Sequence, residues 1–189
     1  EAADLFAGIA AVSGAMNFTA QDSQTEVAVL IVHGTADEHV LYHGGAPRES
    51  IGRAGDRIDA SVQDAIDYYV ARNGLRGYPE SQKDGKVRID TYGTRIDGKP
   101  SGTAVRVIAL EGGGHAWPGA AKGRMLADTP FAFAATQAIW DFLAGVTREF
   151  NVAVKPETCR KQEPVDLVLK GDGFELKRII NFDPALCGP

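Results

Sequence analysis

The chain has 189 residues, 44% of them hydrophobic and 24% charged, with a formal net charge of -5. That composition supports one sizeable core, so a single compact domain with a small appendage is expected. The acidic balance and the absence of a long basic run exclude nucleic acid and anionic membrane surfaces as natural partners. No apolar stretch approaches the roughly 20 residues of a membrane helix.

The chain opens Glu1-Ala2-Ala3-Asp4, acidic where a secretory leader would be basic, and carries no initiator Met. Leu5 to Val12 reads at once as a short buried strand turned by Ser13-Gly14. The sequence is therefore expected to begin mid-fold, as a processed, trimmed or cloned piece. Val27 to Val32 is an unbroken apolar, mostly β-branched run ending in His33-Gly34, suited to a central parallel strand covered on both faces. From Ile58 the apolar residues recur at Val62, Ala65, Ile66, Tyr69 and Val70, which is helical spacing, and Asn73-Gly74 marks a stop.

Lys86 to Tyr92 alternates as an exposed strand or hairpin arm, and Asp97-Gly98-Lys99-Pro100 reads as a turn before a strand from Ala104 to Leu110. Asp128-Thr129-Pro130 resembles a cap followed by proline in a first helical turn, and Phe133 to Val146 supplies an apolar helical face ending near Gly145. This order of strands and helices points to an α/β sheet over residues 1–149. Beyond Phe150 the composition turns polar. Val165 to Leu169 and Phe174 to Phe182 then flank Gly171-Asp172-Gly173, as a β-hairpin appended in a tail over 150–189.

The only cysteines, Cys159 and Cys187, lie in that tail. They form either one disulfide, which would imply an extracellular or periplasmic home, or two unrelated free thiols. Two cysteines exclude a zinc site built of four.

Chemistry concentrates in two loops. His33-Gly34-Thr35-Ala36-Asp37 follows the strongest strand, and Glu111-Gly112-Gly113-Gly114-His115 follows another. Loops after parallel strands lie at the carboxyl edge of a sheet, where α/β proteins place their sites. Imidazole ordinarily titrates near about pH 6.5, so a histidine there suits general-base work. Asp37 would orient His115 by accepting its Nδ1–H. The plain alternatives are that Asp37 closes an Asx turn or caps a helix, and that the histidine is structural. Trp117, two residues beyond, either lines a substrate pocket or packs over the glycine turn.

These residues resemble a known family. His33-Gly34-Thr35-Ala36-Asp37 followed by Tyr42-His43-Gly44-Gly45 is similar to the acid loop of α/β-hydrolase esterases of the polyhydroxybutyrate depolymerase and feruloyl esterase type. The run from Glu111 to Gly119, Glu-Gly-Gly-Gly-His-Ala-Trp-Pro-Gly, is similar to their histidine loop. The helices ending at Asn73-Gly74 and containing Ile139-Trp140-Asp141-Phe142 fall where that family has helices. The resemblance covers about Ala3 to Val146. It implies the C-terminal portion of an α/β-hydrolase sheet with flanking helices, and a carboxylic ester hydrolase needing no cofactor. Asp37 and His115 would be the acid and base of a Ser-His-Asp triad acting on a small-molecule or polymeric ester.

The nucleophile of that family lies in a Gly-x-Ser-x-Gly elbow upstream of both residues. No such pentapeptide occurs in this sequence. By the resemblance, the serine and the oxyanion-hole loop would precede Glu1, and the chain alone is expected to be inactive. Ser13 reads as a turn residue rather than a substitute. A second reading is a non-catalytic truncated module that binds a partner, the missing N-terminal half or a second copy of itself. His39 and His43, near His33 and Asp37, raise a metal site. The glycines make this stretch a loop, and no His-Glu-x-x-His occurs, so no metal is expected. Gly112 to Gly114 lack the following Gly-Lys-Ser/Thr of a phosphate loop.

Overall fold

The structure is a computed structural model, described over residues 6–17, 25–48, 57–94, 98, 100–121, 129–146, 165–171 and 174–180. The chain divides into two compact units, Ala3–Thr147 and Arg148–Pro189. The first is a small α/β fold whose mixed five-stranded sheet runs in the order β1-β2-β5-β4-β3. Its strands are β1 (Gly8–Val12), β2 (Ala28–Gly34), β3 (Glu80–Asp84), β4 (Val87–Thr94) and β5 (Pro100–Leu110), with helices α1 (Val62–Arg72) and α2 (Ala135–Ala144).

The run Ala28-Val29-Leu30-Ile31-Val32-His33-Gly34 forms β2, and all seven residues are buried. Side chains on a strand alternate between faces, so this one strand feeds two cores. Val27, Val29 and Ile31 join Val105 and Val107 of β5 beneath Val62 and Ile66 of α1. Ala28, Leu30 and Val32 join Ile108 and Leu110 beneath Ala135 and Phe142 of α2. A strand with helices on both faces must be apolar throughout, which explains the unbroken run. Each fully buried Leu or Val contributes roughly 1.5–3 kcal/mol from area alone.

Both neighbours of β2 run parallel to it, Gly8–Val12 of β1 against Ala28–Val32, and Val105–Leu110 of β5 against Val29–Gly34. The remaining strands are antiparallel, β5 against β4 and β4 against β3. The carboxyl ends of β2 and β5 therefore lie side by side at one edge of the sheet.

Several elements differ from the sequence expectation. The first strand covers only Gly8–Val12, and its residues are half-buried rather than buried, because β1 stands at the end of the strand order. Phe6 precedes it and is exposed. The first helix begins at Val62, not Ile58, because Ser61 caps it: its hydroxyl accepts from the Asp64 N–H, and the Asp64 carboxylate accepts from the Ser61 N–H. The last helix begins at Ala135, so Thr129 and Pro130 lie before it, and Ala134 provides no side-chain cap. Pro100 opens β5 rather than closing a turn.

Strand β3, Glu-Ser-Gln-Lys-Asp, was not foreseen: it is exposed along its whole length and shows no apolar period. Its pairing with β4 holds it instead.

Asn73 does more than stop α1. Its buried side chain donates to the carbonyls of Val27 at 2.7 Å and Thr103 at 2.8 Å, and accepts from the Val27 N–H at 3.2 Å. It stitches the entrances of β2 and β5 to the end of α1.

The second unit contains β6 (Val165–Gly171) and β7 (Phe174–Ile180), an antiparallel pair whose register runs from Val165↔Ile180 to Gly171↔Phe174. The hairpin expected from the sequence is present, its second arm described to Ile180. Cys159, Cys187, Asp128 and Phe182 lie outside the described residues. Among the described residues, no helix is long and apolar enough to cross a membrane.

Candidate active site

The two loops expected to carry chemistry are joined where β2 and β5 end. The Thr35 N–H donates to Leu110 O at 2.9 Å, the Ala36 N–H to Gly113 O at 2.9 Å, and the Gly112 N–H to the Thr35 hydroxyl at 2.9 Å. These bonds continue the β2–β5 ladder past the last strand pair, Gly34↔Leu110. Gly34 makes the approach possible, since a Cβ there would lie 2.2 Å from Gly113 O and 2.6 Å from Gly114 O. Gly112 has φ +76°, a conformation open to glycine at little cost, and starts the turn that brings the chain back toward Asp37.

Asp37 is buried, and its two carboxylate oxygens have different work. Oδ1 accepts the N–H groups of His39 and Val40, each at 2.9 Å, in an Asx turn. Oδ2 lies 2.9 Å from Nδ1 of His115. The Asx turn and the histidine partnership foreseen as alternatives therefore coexist, one on each oxygen. Burial alone would push the Asp37 carboxyl up. The hydrogen bonds from His33, the Val40 N–H, His115 and the His39 N–H outweigh it and hold the group well below the usual carboxylate range.

A carboxylate only accepts, so Nδ1 of His115 carries the proton and Nε2 is the basic nitrogen. The side chain of His115 is 28% exposed while that of Asp37 is fully buried. A buried acid behind a partly exposed imidazole is the arrangement that fixes tautomer and ring orientation while leaving the base accessible.

His39 abuts this pair, its ring meeting that of His115 edge-on at 5.1 Å between centroids. Its carbonyl accepts from Arg57 Nη2 at 2.7 Å, and Arg57 Nε pairs with buried Asp59 at 2.7 Å, bracing the acid loop from the segment before α1. His43 packs edge-on against Tyr42 instead, at 5.2 Å. The two histidines thus meet different neighbours. Among the described residues no group of three or more His, Cys, Asp or Glu is placed to hold a metal ion.

Trp117 is 45% exposed, and its indole N–H donates to Thr136 of α2 at 3.2 Å. That bond ties the histidine loop to the helix. Ser13 has φ +49°, is buried, and its N–H donates to Val32 O at 3.0 Å, which makes it the residue that turns the chain out of β1.

Sequence reasoning missed three contributors. Gly34 was quoted as part of the acid loop without the crowding that requires glycine. Arg57 gave no signal of its bond to the acid loop, because the His39 carbonyl it reaches lies 18 residues away. His33, at the end of β2 and 1% exposed, lies directly beside Asp37, with Nε2 3.5 Å from Oδ2. A polar residue closing an otherwise apolar strand was the signal that could have found it.

A comparison with protein-family models found none that matches the chain, and a comparison with curated proteins found no matching sequence.

Proposed function

We propose that Asp37 and His115 are the acid and base of a carboxylic ester hydrolase of the Ser-His-Asp kind. The observation that carries the proposal is the 2.9 Å bond from Nδ1 of His115 to a buried carboxylate, formed by two loops at the carboxyl edge of the sheet. The resemblance of both loops to those of polyhydroxybutyrate depolymerase and feruloyl esterase-type enzymes supports the same reading, as does the parallel run β1-β2-β5.

In the proposed reaction a serine hydroxyl attacks the ester carbonyl carbon while Nε2 of His115 takes its proton. Asp37 stabilises the imidazolium that results. Collapse of the tetrahedral intermediate breaks the ester C–O bond, and His115 returns the proton to the departing alcohol. Water then attacks the acyl-serine with His115 again as base, releasing the acid and restoring the serine. Trp117 forms one wall of the acyl pocket. The serine is not supplied by a Gly-x-Ser-x-Gly element of this sequence. A strand added parallel to the outer edge of β1 would bring one to the same sheet edge as Asp37 and His115.

The test is labelling by a serine-directed fluorophosphonate of the protein expressed from the whole open reading frame. Labelling that disappears in His115→Ala and Asp37→Asn supports the proposal; no labelling, or labelling indifferent to both substitutions, refutes it.

A second reading, a non-catalytic module that binds a partner or a second copy, is favoured by a separate observation. β1 stands at one end of the sheet and is wholly apolar, while Trp140 is 70% and Phe6 46% exposed. The opposite end strand, β3, carries Glu80, Lys83 and Asp84, charges of the kind that discourage further strand pairing. A concentration-dependent dimer without ester turnover would favour this reading; a monomer that turns over would exclude it.

A further inference from the structure

Behind the Asp37–His115 pair stands a histidine to which the mechanism above gives no role. His33, the last side chain of the otherwise apolar strand β2, has a relative exposure of 1%. Its Nε2 lies 2.9 Å from the Val40 carbonyl and 3.5 Å from Oδ2 of Asp37. Both of those groups only accept, so Nε2 carries the proton: it donates to the Val40 carbonyl and lies beside Oδ2. The other ring nitrogen, Nδ1, is buried with no hydrogen-bond partner among the described residues. A Tyr42 ring edge-on at 5.8 Å holds the imidazole in place.

A buried polar nitrogen left unpaired is costly, and a valine or leucine here would continue the strand without that cost. What an apolar residue could not do is donate a proton from beneath Asp37. The three N–H groups of His39, Val40 and His115 approach the carboxylate from its own loop and from the histidine loop. His33 adds a donor from the strand itself, which is buried along its whole length and paired on both sides. It also ties down the carbonyl of Val40, whose N–H binds the other carboxylate oxygen. One imidazole therefore fixes both the carboxylate and the turn that presents it.

We propose that His33 is a positioning residue: its Nε2–H sets the plane of the Asp37 carboxylate and thereby the strength of the bond that Oδ2 accepts from Nδ1 of His115. The consequence for catalysis rests on the function proposed above, but the structural effect needs no serine and is measured on the 189-residue chain as it stands.

Two amide variants separate positioning from mere filling of space. The Nε2 of His33→Gln reaches the place of the imidazole Nε2, whereas the shorter His33→Asn places its amide near the position of Nδ1. The readout is the solvent-exchange rate of the Nδ1 proton of His115, followed by NMR in the ¹⁵N-labelled chain. His33→Gln is expected to stay within about threefold of wild type, and His33→Asn to exchange about tenfold faster, the equivalent of one weakened hydrogen bond. If His33→Asn does not fold, His33→Met fills the site without a donor and carries the same expectation. Equal rates for the donor-keeping and donor-lacking variants would overturn the proposal and leave His33 as a loop staple. A wild-type chain without a protected Nδ1 proton on His115 would overturn it too. Neither result depends on fluorophosphonate labelling, which tests the esterase reading separately.

Discussion

Replacing Gly34 with alanine tests the most demanding contact in the site. The added Cβ would lie 2.2 Å from Gly113 O, 2.5 Å from Gly113 C and 2.6 Å from Gly114 O. All three are backbone atoms, so no side chain can swing aside, and the loops must separate by the better part of an ångström. Two hydrogen bonds sit directly on that seam, Ala36 N–H to Gly113 O and Gly112 N–H to the Thr35 hydroxyl, both 2.9 Å. Overpacking of this kind costs about 1–3 kcal/mol, and two stretched hydrogen bonds add about 0.5–1.5 kcal/mol each. The sum, about 2–6 kcal/mol, is a large share of the roughly 5–15 kcal/mol that holds a domain folded. The assay is equilibrium urea unfolding of Gly34→Ala beside Gly102→Ala, where an added Cβ meets nothing within 4 Å. Gly102→Ala is expected within about 1 kcal/mol of wild type, on the stabilising side, because alanine is easier to order in a strand than glycine. A Gly34→Ala variant as stable as Gly102→Ala would show that the two loops do not meet as described, and the Asp37–His115 geometry would lose its foundation.

Asn73→Ala removes two buried hydrogen bonds to Val27 and a part-buried one to Thr103 at once, so a loss of about 2–5 kcal/mol is expected by the same unfolding assay. Asp37 is held below its ordinary range in the folded state, so its contribution is present above about pH 4 and is lost as pH falls toward the lower folded value. Acid titration of stability should therefore show a limb below pH 4 that Asp37→Asn lacks, that variant being the less stable at neutral pH; identical acid limbs would contradict the assignment. Ser61→Ala breaks the capping box of α1 and is expected to cost about 1 kcal/mol, read as a shift of the urea midpoint with unchanged slope.

The parts of this fold that were legible in the sequence are those with a strong local cause. The β2 run is apolar because helices cover both faces, and a run of that kind has few other structural explanations. Asp37 and His115 were legible for a related reason: each follows such a strand, and glycines mark the turns that expose them. What escaped notice depends on contacts between distant segments. The polar strand β3 exists through its pairing with β4, and Glu80-Ser81-Gln82-Lys83-Asp84 carries no period of its own. The late start of α2 follows from the loop from Phe131 to Ala134, whose backbone bonds to Gly119 and within itself displace the helix from Pro130. The bracing of the acid loop by Arg57 spans 18 residues, and the stitch made by Asn73 spans 46. His33 lay in plain view, but only the fold shows that its ring turns inward, beneath the carboxylate.

The claim at the centre of this account is that His115 moves protons for an ester hydrolysis in which Asp37 orients it. The most direct test compares kcat/KM for a p-nitrophenyl ester between wild type and His115→Ala, both expressed from the whole open reading frame. The account predicts a loss on the order of 10³-fold or more, the scale seen when a triad member is removed. Activity within about threefold of wild type, a difference worth well under 1 kcal/mol of transition-state stabilisation, would contradict it.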